Sequence, residues 1–476
     1  MLLDRLSSSY RWSLAKLAPH SAGLQEFLAA KEATEFIRDV IGVHNGFRLS
    51  PTQLEYLEDR IGVLSLEKVR SFFPDDAWGT NFLVNVWEYA RGVAELTSYP
   101  WNVSLPVADV CNARCTFCTS WLEGREILDL RQLDRFAPLL RHAIYVGLVG
   151  HGEPMAHPQF DVLCEKLAGM LDPRSTCYTI TNGVFLEKWR DLLEAIHLRS
   201  YSVSLNAATP ETHDAVMGLG LDAFPRIIGS LEHLVNLRDR KGLELQIYVT
   251  LVVTRHNIHE IPAFIELGNR LGVTAIWLRT LLPQAGPLPG LNYHELPPYL
   301  HPEFERCREQ ARAAIAGSRV PVQADPAVWQ NRIFSPQTEE LIRIKPPQTI
   351  PREQAVRQIT IREQAARLYD MPVTKGRPLP PGDRGYLDPL EDGLNPLNRQ
   401  PRFACKAVYY NLYINEFFFR LNPCCYIYQV PGFEEIRFDG SYGFFEAWNS
   451  AAMVDLRRRL KQGPLFAACK RCPENW

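Results

Sequence analysis

Asp109-Val-Cys-Asn-Ala-Arg-Cys-Thr-Phe-Cys118 puts three thiols on one short loop, in the spacing CxxxCxxC. Three thiolates can hold three irons of a cubane 4Fe–4S cluster and leave the fourth iron to another ligand. A tetrahedral zinc site or an ordinary cluster takes a fourth protein ligand. Taken alone, the loop also admits a zinc site or three core cysteines. The strand-like run Val103-Ser-Leu-Pro-Val107 stands just before it.

Outward from the loop, residues 101–285 alternate short apolar runs with helical patterns. The runs are Val103–Val107, Tyr145–Val149, Ser175–Ile180, Tyr201–Leu205, Leu245–Val253 and Ala275–Leu278. Between them, Phe160–Leu171, Glu187–Ile196, Phe224–Leu237 and Ile258–Leu271 carry apolar residues at helical spacing. Such alternation predicts βα units and a parallel sheet, an α/β fold. Residues 1–100 read as helical: Leu24–Leu28, Thr34–Ile41 and Asn81–Leu96 follow the helical period, and Ser50-Pro51 opens another helix. Residues 286–402 are rich in proline, with one charged helix expected at Arg352–Tyr369; they form a linker or an arm that wraps the α/β unit. Residues 403–476 bring cysteines back, at Cys405, Cys424, Cys425, Cys469 and Cys472.

Composition narrows the class. Of 476 residues, 46% are hydrophobic and 22% charged, enough apolar material for a sizeable core. A net charge of −2 gives no electrostatic case for nucleic acid or an anionic membrane. The run Arg457-Arg-Arg459 reads as a solvated helix face. No stretch reaches the roughly 18 apolar residues of a membrane span, and Met1–Arg5 opens no signal peptide. A cytoplasmic protein is expected, in which 11 cysteines serve as metal ligands and buried thiols.

Polar motifs follow the strands. Gly150-His-Gly-Glu-Pro154 succeeds the second, Thr181-Asn-Gly183 the third, Ser204-Leu-Asn206 the fourth and Thr254-Arg-His-Asn257 the fifth. Together with the CxxxCxxC loop they resemble the radical S-adenosylmethionine (SAM) superfamily, with His151 standing where that family's GGEP motif has its first glycine. The resemblance implies a partial (β/α)6 TIM-like barrel. Cys111, Cys115 and Cys118 would hold a 4Fe–4S cluster whose open iron chelates SAM, and reductive cleavage of SAM would give a 5′-deoxyadenosyl radical. Phe117 would lie beside the adenine or, as an isolated phenylalanine, pack in the core. Gly152, Glu153 and Pro154 would hold the amino group, Gly152 by letting the backbone approach the ligand and Glu153 through its carboxylate. Thr181 and Asn182 would lie near the ribose and methionine portions, and Ser204 and Asn206 near the ribose or carboxylate. Arg255 would pair with the SAM carboxylate, and Asn257 would cap the next helix. His151 is a proton-transfer candidate or a packing histidine. Trp277 and Arg279 end the last strand, where Arg279 faces either the cavity or solvent.

The order Cys405, Asn422-Pro-Cys-Cys425, Trp448-Asn-Ser450, an arginine-rich helix and Cys469-Lys-Arg-Cys472 is similar to the SPASM and twitch extensions of the same superfamily. It implies a small C-terminal domain with a second, auxiliary 4Fe–4S cluster on Cys405, Cys424, Cys469 and Cys472. Cys425 is the alternative to Cys424, and a four-cysteine zinc site is the alternative metal. Cys164 and Cys177 are expected in the core. The resulting expectation is a radical SAM enzyme, fed electrons by a flavodoxin or ferredoxin. Its substrate is expected to be a small amino sugar or cyclitol intermediate, with a ribosomally made peptide as the alternative.

Overall fold

The computed structural model describes residues 77–118, 126–150, 152–190, 198–280, 296–329, 405, 407–415, 420–423, 436 and 443–462. Its centre is one sheet. The strands are β1 (Asn102–Leu105), β2 (Tyr145–Leu148), β3 (Thr176–Thr181), β4 (Leu198–Ser204), β5 (Gln246–Val253), β6 (Ala275–Thr280), β7 (Val322–Ala324), β8 (Asn411–Asn415) and β9 (Arg420–Asn422). They lie in the order β7-β6-β5-β4-β3-β2-β1-β8-β9. Every pairing is parallel except the antiparallel β8–β9, and β7 and β9 are edges, so the sheet stays open.

The six strands expected from residues 101–285 form within a few residues of their expected bounds, as an open parallel α/β sheet of the partial TIM-like kind. Two additions come from elsewhere. β7, and the helix Phe304–Ala316 before it, lie in the segment read as proline-rich and irregular, and β8 extends the sheet beyond β1. The charged helix expected at Arg352–Tyr369 lies outside the described residues.

The helices are α1 (Ala77–Arg91), α2 (Phe160–Met170), α3 (Pro210–Met217), α4 (Ala223–Lys241), α5 (Ile261–Leu271), α6 (Phe304–Ala316) and α7 (Ala451–Gln462). α4 shows why such stretches are helical. Phe224, Ile227, Leu231, Leu234 and Val235 recur at three- and four-residue spacing and are buried, while Arg238, Arg240 and Lys241 fill the last turn, where the helix dipole favours cations. The expected helix at Glu187–Ile196 does not begin as one. Val184–Leu186 is a single 3-10 turn, residues 187–190 form a turn, and residues 191–196 lie outside the described residues.

The two faces of the sheet differ chemically. One carries Val103, Val146, Leu148, Cys177, Tyr201, Val203, Ile247, Val249, Leu251, Ile276 and Leu278, all buried in the main core. Cys164 and Cys177 sit in this core, as expected. Register places the alternate residues on the opposite face: Tyr413, Ser104, Gly147, Tyr178 and Ser200 in one row, then Ile180, Ser202 and Tyr248, then Ser204, Thr250 and Trp277. Ile180 is 47% exposed although it lies on an inner strand. A parallel sheet covered on both sides carries apolar residues on both. This one carries rows of hydroxyls on its second face.

Polar groups join α1 to the start of β1. Asn81, Asn85 and Glu88 lie four and three residues apart and are buried. Asn81 exchanges two hydrogen bonds with the main chain of Tyr99 (3.0 and 2.8 Å). Asn85 Nδ2 donates to Ser98 Oγ (2.8 Å) and the Tyr409 carbonyl (2.7 Å), while Trp101 Nε1 donates to Asn85 Oδ1 (3.1 Å). Glu88 accepts from the hydroxyls of Thr97 (2.7 Å) and Ser98 (2.6 Å). Burial raises the Glu88 pKa even against these bonds. The extended segment before β1 thus meets its hydrogen-bond requirement on a helix face.

The C-terminal segment meets the same region. Asn449 Oδ1 accepts from Leu96 N (2.7 Å) and its Nδ2 donates to Leu96 O (2.8 Å), as a neighbouring strand would. Arg457 corrects the reading of its run as a solvated face. It is 1% exposed, donates to the carbonyls of Val408 (3.2 Å) and Ala94 (3.0 Å), and stacks over Trp448 (4.7 Å). Burial pulls its pKa down to about 10. Arg459 pairs with Asp455 (2.7 Å).

Two outcomes follow. Asn85→Ala leaves the Tyr409 carbonyl without this donor and the Trp101 indole without this acceptor, at a cost of about 2–3 kcal/mol, readable as a lower denaturation midpoint. His213 on α3 is buried with neither ring nitrogen hydrogen-bonded, and burial depresses its pKa to about 4. The folded chain keeps this ring neutral while the unfolded chain protonates it below its ordinary value of 6.5. Its contribution is therefore full above that value and lost as pH falls towards 4. His213→Leu should narrow the gap between thermal midpoints at pH 7.5 and pH 5.

Candidate active site

The cysteine loop is anchored through its main chain. Glu153 N donates to Val110 O (2.9 Å) on entry. Arg114 N donates to Met217 O (2.7 Å), Thr116 N to Val216 O (2.9 Å), and Cys118 N closes a turn onto Cys115 O (3.2 Å). Burial pushes the Cys111 thiol up to about 12, with the Glu153 and Cys118 charges adding to it. Cys115 is driven well above its usual value by burial and then by Cys118 and Cys111.

The three sulfurs are thus near enough to repel one another as thiolates, and only bound cations would make all three ionise together. Among the described residues no three His, Cys, Asp or Glu are gathered to grip one metal ion. A cubane does not ask for that, because each cysteine takes a different iron. Three thiols within electrostatic reach of one another on a single loop fit such a cluster. Phe117 is half-buried against Ala113, Val216 and Met217.

Gly152 has a definite steric role. A Cβ there would come within 2.4 Å of the Asp109 carbonyl carbon and 2.5 Å of the carbonyl oxygens of Ala108 and Val110. The close approach expected of this glycine is therefore made to the main chain leading into the cysteine loop.

Glu153 ties the parts together. It is buried, and Oε1 accepts from Met155 N (3.1 Å) and Thr181 Oγ1 (2.7 Å) while Oε2 accepts from Asn182 N (2.7 Å). Burial still pushes its pKa up to about 7 against these three donors. A carboxylate has about four lone-pair positions, so one on Oε2 is left. Asn182 continues the chain of contacts: Nδ2 donates to Asn112 Oδ1 (2.7 Å) and lies 3.9 Å from Cys111 Sγ. Pro154 opens the 3-10 turn Pro154–Ala156, for which Glu153 is the cap.

On the next strands, Ser204 ends β4 half-buried. Asn206 is buried at φ +57°, and its Oδ1 accepts from Val252 N (2.8 Å) while Nδ2 donates to Met217 Sδ (3.0 Å). Asn257 occupies the cap position before Ile258–Glu260 but makes no capping bond. Its Nδ2 donates to the carbonyls of Asn206 (3.0 Å) and Val252 (2.9 Å), so it joins the loops after β4 and β5. Arg255 is half-buried, with its N–H on Leu296 O (2.8 Å). Arg279 pairs with Asp325 (3.1 Å) and stacks on Trp277 (4.6 Å), which stacks on Tyr248 (4.4 Å).

The structure thus gathers Cys111, Cys115, Cys118, Gly152, Glu153, Thr181, Asn182 and Asn206 at the carboxyl ends of β1–β4. His151, Cys424, Cys469 and Cys472 lie outside the described residues, while Cys405 stands half-buried before the single turn Ala407–Tyr410. Sequence reasoning missed Asn112, Met217 and the pair Gly147–Tyr178. A Cβ on Gly147 would lie 2.6 Å from the Tyr178 ring, so that ring lies across β2 and bonds Ser104. A glycine inside a strand pattern is itself a signal of such an approach.

Comparison with known proteins agrees with this architecture. A family model described as "Radical SAM superfamily" matches residues 105–268. A "Probable GTP 3',8-cyclase" of Saccharolobus islandicus is 32% identical over 190 residues, 38% of this chain and 57% of its own length. "Mycofactocin maturase MftC" of Mycobacterium ulcerans is 30% identical over 175 residues, 34% of this chain and 43% of its own. The chain thus spans about half the length of these relatives. The crystal structure of Streptococcus suis SuiB covers 87% of this chain and 82% of its own at 13% identity, with a TM-score of 0.46. No helix among the described residues is long and apolar enough to cross a membrane. With its cysteine loop and the strand ends that surround it, the segment 105–268 belongs to the radical SAM superfamily, whose members use a 4Fe–4S cluster and SAM.

Proposed function

We propose that this chain reductively cleaves SAM and uses the resulting radical to take hydrogen from an unactivated substrate carbon. The carrying observation is the link from the cysteine loop through Asn112 and Asn182 to the buried Glu153 carboxylate. Cys111, Cys115 and Cys118 would hold the 4Fe–4S cluster, which would supply the electron for reductive cleavage of SAM. The residues bind and orient. Glu153 offers a buried acceptor whose pKa of about 7 an adjacent ammonium would lower, favouring the charged pair. Thr181 and Asn182 hold that carboxylate in place, and Phe117, Ser204, Asn206 and Arg255 are the proposed surround of the adenosyl and carboxylate portions. His151 is the candidate for proton transfer.

For the substrate we take a peptide segment. The name of the maturase relative supports this, and neither relative described above is named for a carbohydrate. Half-buried Ser204, at the end of β4, would supply a partner for a peptide amide. A small carbohydrate-like intermediate is the second reading, favoured by the Trp277–Tyr248 stack beside Ser202 and Thr250, a platform of the kind that packs against sugar rings. Cys405, Cys424 or Cys425, Cys469 and Cys472 are proposed to hold a second 4Fe–4S cluster, and a cytoplasmic flavodoxin or ferredoxin to deliver electrons.

Anaerobically reconstituted protein with dithionite and SAM should release 5′-deoxyadenosine, and replacing Cys111, Cys115 and Cys118 by alanine should abolish that release. Full loading gives about eight irons per chain, whereas about one zinc with about four irons would replace the second cluster by a zinc site. A short peptide encoded beside the gene should accelerate 5′-deoxyadenosine release; acceleration by an amino sugar or cyclitol instead would favour the second reading. Gly152→Ala drives a methyl into the loop's main chain, so iron uptake should fall sharply and stability by about 1–3 kcal/mol, with far-UV circular dichroism unchanged.

A further inference from the structure

We propose that Met217 and Asn206 form a clamp that fixes Cys115 and shields its sulfur. This rests on residues 111–118 being the cluster loop. α3 is short and firmly bounded. Thr209 caps it by accepting from Thr212 N (3.3 Å), Pro210 opens it, and Gly218 ends it at φ +62°. A Cβ on Gly218 would stand 2.9 Å from Arg114 Cβ, so the helix ends directly against the cysteine loop.

There the main chains run side by side. The bonds from Arg114 N to Met217 O (2.7 Å) and from Thr116 N to Val216 O (2.9 Å) fix the residues on either side of Cys115. The side chains repeat the contact. Met217 Sδ is buried, 3.4 Å from Cys115 Sγ, and accepts from Asn206 Nδ2 at 3.0 Å.

Asn206 cannot easily turn. Its Oδ1 takes the Val252 N–H, which decides which end of the amide meets the sulfur, and its main chain bonds Thr250 O and Asn257 Nδ2. A thioether accepts hydrogen bonds and donates none. Once Cys115 is a thiolate on iron, Met217 can only cover it, excluding water with a polarizable group that Asn206 holds still. Burial and the groups around a ligating sulfur set both the hold on the metal and the cluster potential. Met217 is therefore a positioning residue acting through Cys115.

The test uses the full chain. Met217→Leu keeps the volume and removes the acceptor. It should keep its fold and initial iron content, lower its thermal midpoint slightly because the buried Asn206 Nδ2 loses its acceptor, release iron to a chelator roughly tenfold faster, and alter the electron paramagnetic resonance spectrum of the reduced cluster. Met453→Leu, buried on α7, should leave both readouts unchanged. Release and spectrum like wild type in Met217→Leu would overturn the clamp.

A second arm needs no cluster. In reduced metal-free protein, iodoacetamide should label Cys115 several-fold more slowly than Cys118, and Met217→Ala should remove that difference. Equal labelling in the wild type would overturn the clamp. Slow labelling of Cys115 in a wild type that takes up no iron would leave the clamp standing and sink the cluster reading.

Discussion

A carboxylate buried away from water must be answered by donors, and Glu153 is answered by three: two at the end of β3 and one in the 3-10 turn that it caps. The constraint works in both directions. Thr181 and Asn182 position the acid, and the acid in turn sets the end of β3 against the loop after β2. Through Glu153 N and Asn182 Nδ2 the same cluster reaches the main chain at Val110 and the side chain of Asn112. The cysteine loop therefore hangs from a hydrogen-bonded hub. Residues whose backbone groups were unpaired there would incur a desolvation cost of about 1–3 kcal/mol each.

The remaining architecture serves that hub from two sides. On one face of the sheet, helices and strands share an apolar core that fixes strand order and register. On the other, hydroxyls and aromatic rings stand in rows, with Ser202 and Thr250 hydrogen-bonded to each other (3.1 Å). Farther out, α1 and the C-terminal segment hold the residues that enter β1, through Asn81, Asn85, Asn449 and Arg457. Since β1 delivers the cysteine loop, these distant polar contacts bear on the loop's placement.

Much of this was legible in the residues. The βα strands from β1 to β6 follow from short apolar runs, and the cysteine spacing with Glu153 and Asn182 marks the site without coordinates. What stayed hidden depends on partners far apart in sequence. Nothing local reveals that Arg457, inside an arginine run, points into the protein towards Ala94. Asn257 has the identity and place of a cap, yet its amide is taken by carbonyls across two loops. Met217 looks like a core residue at a helix end, which it is; its contact with Cys115 comes only from the way α3 meets the loop. Gly152 was read as making room, but for a ligand rather than for main chain.

The parallel pairing of β8 with β1 has a consequence for how the molecule comes into being. Asn102–Ser104 and Asn411–Tyr413 are hydrogen-bonded neighbours. A ribosome adding about 5–20 residues per second needs on the order of fifteen to sixty seconds to travel between them. For that interval β1 keeps an open edge, with the cysteine loop suspended from it. The order of synthesis thus runs opposite to the order of completion: the strand that leads into the cysteine loop is among the first made and among the last enclosed.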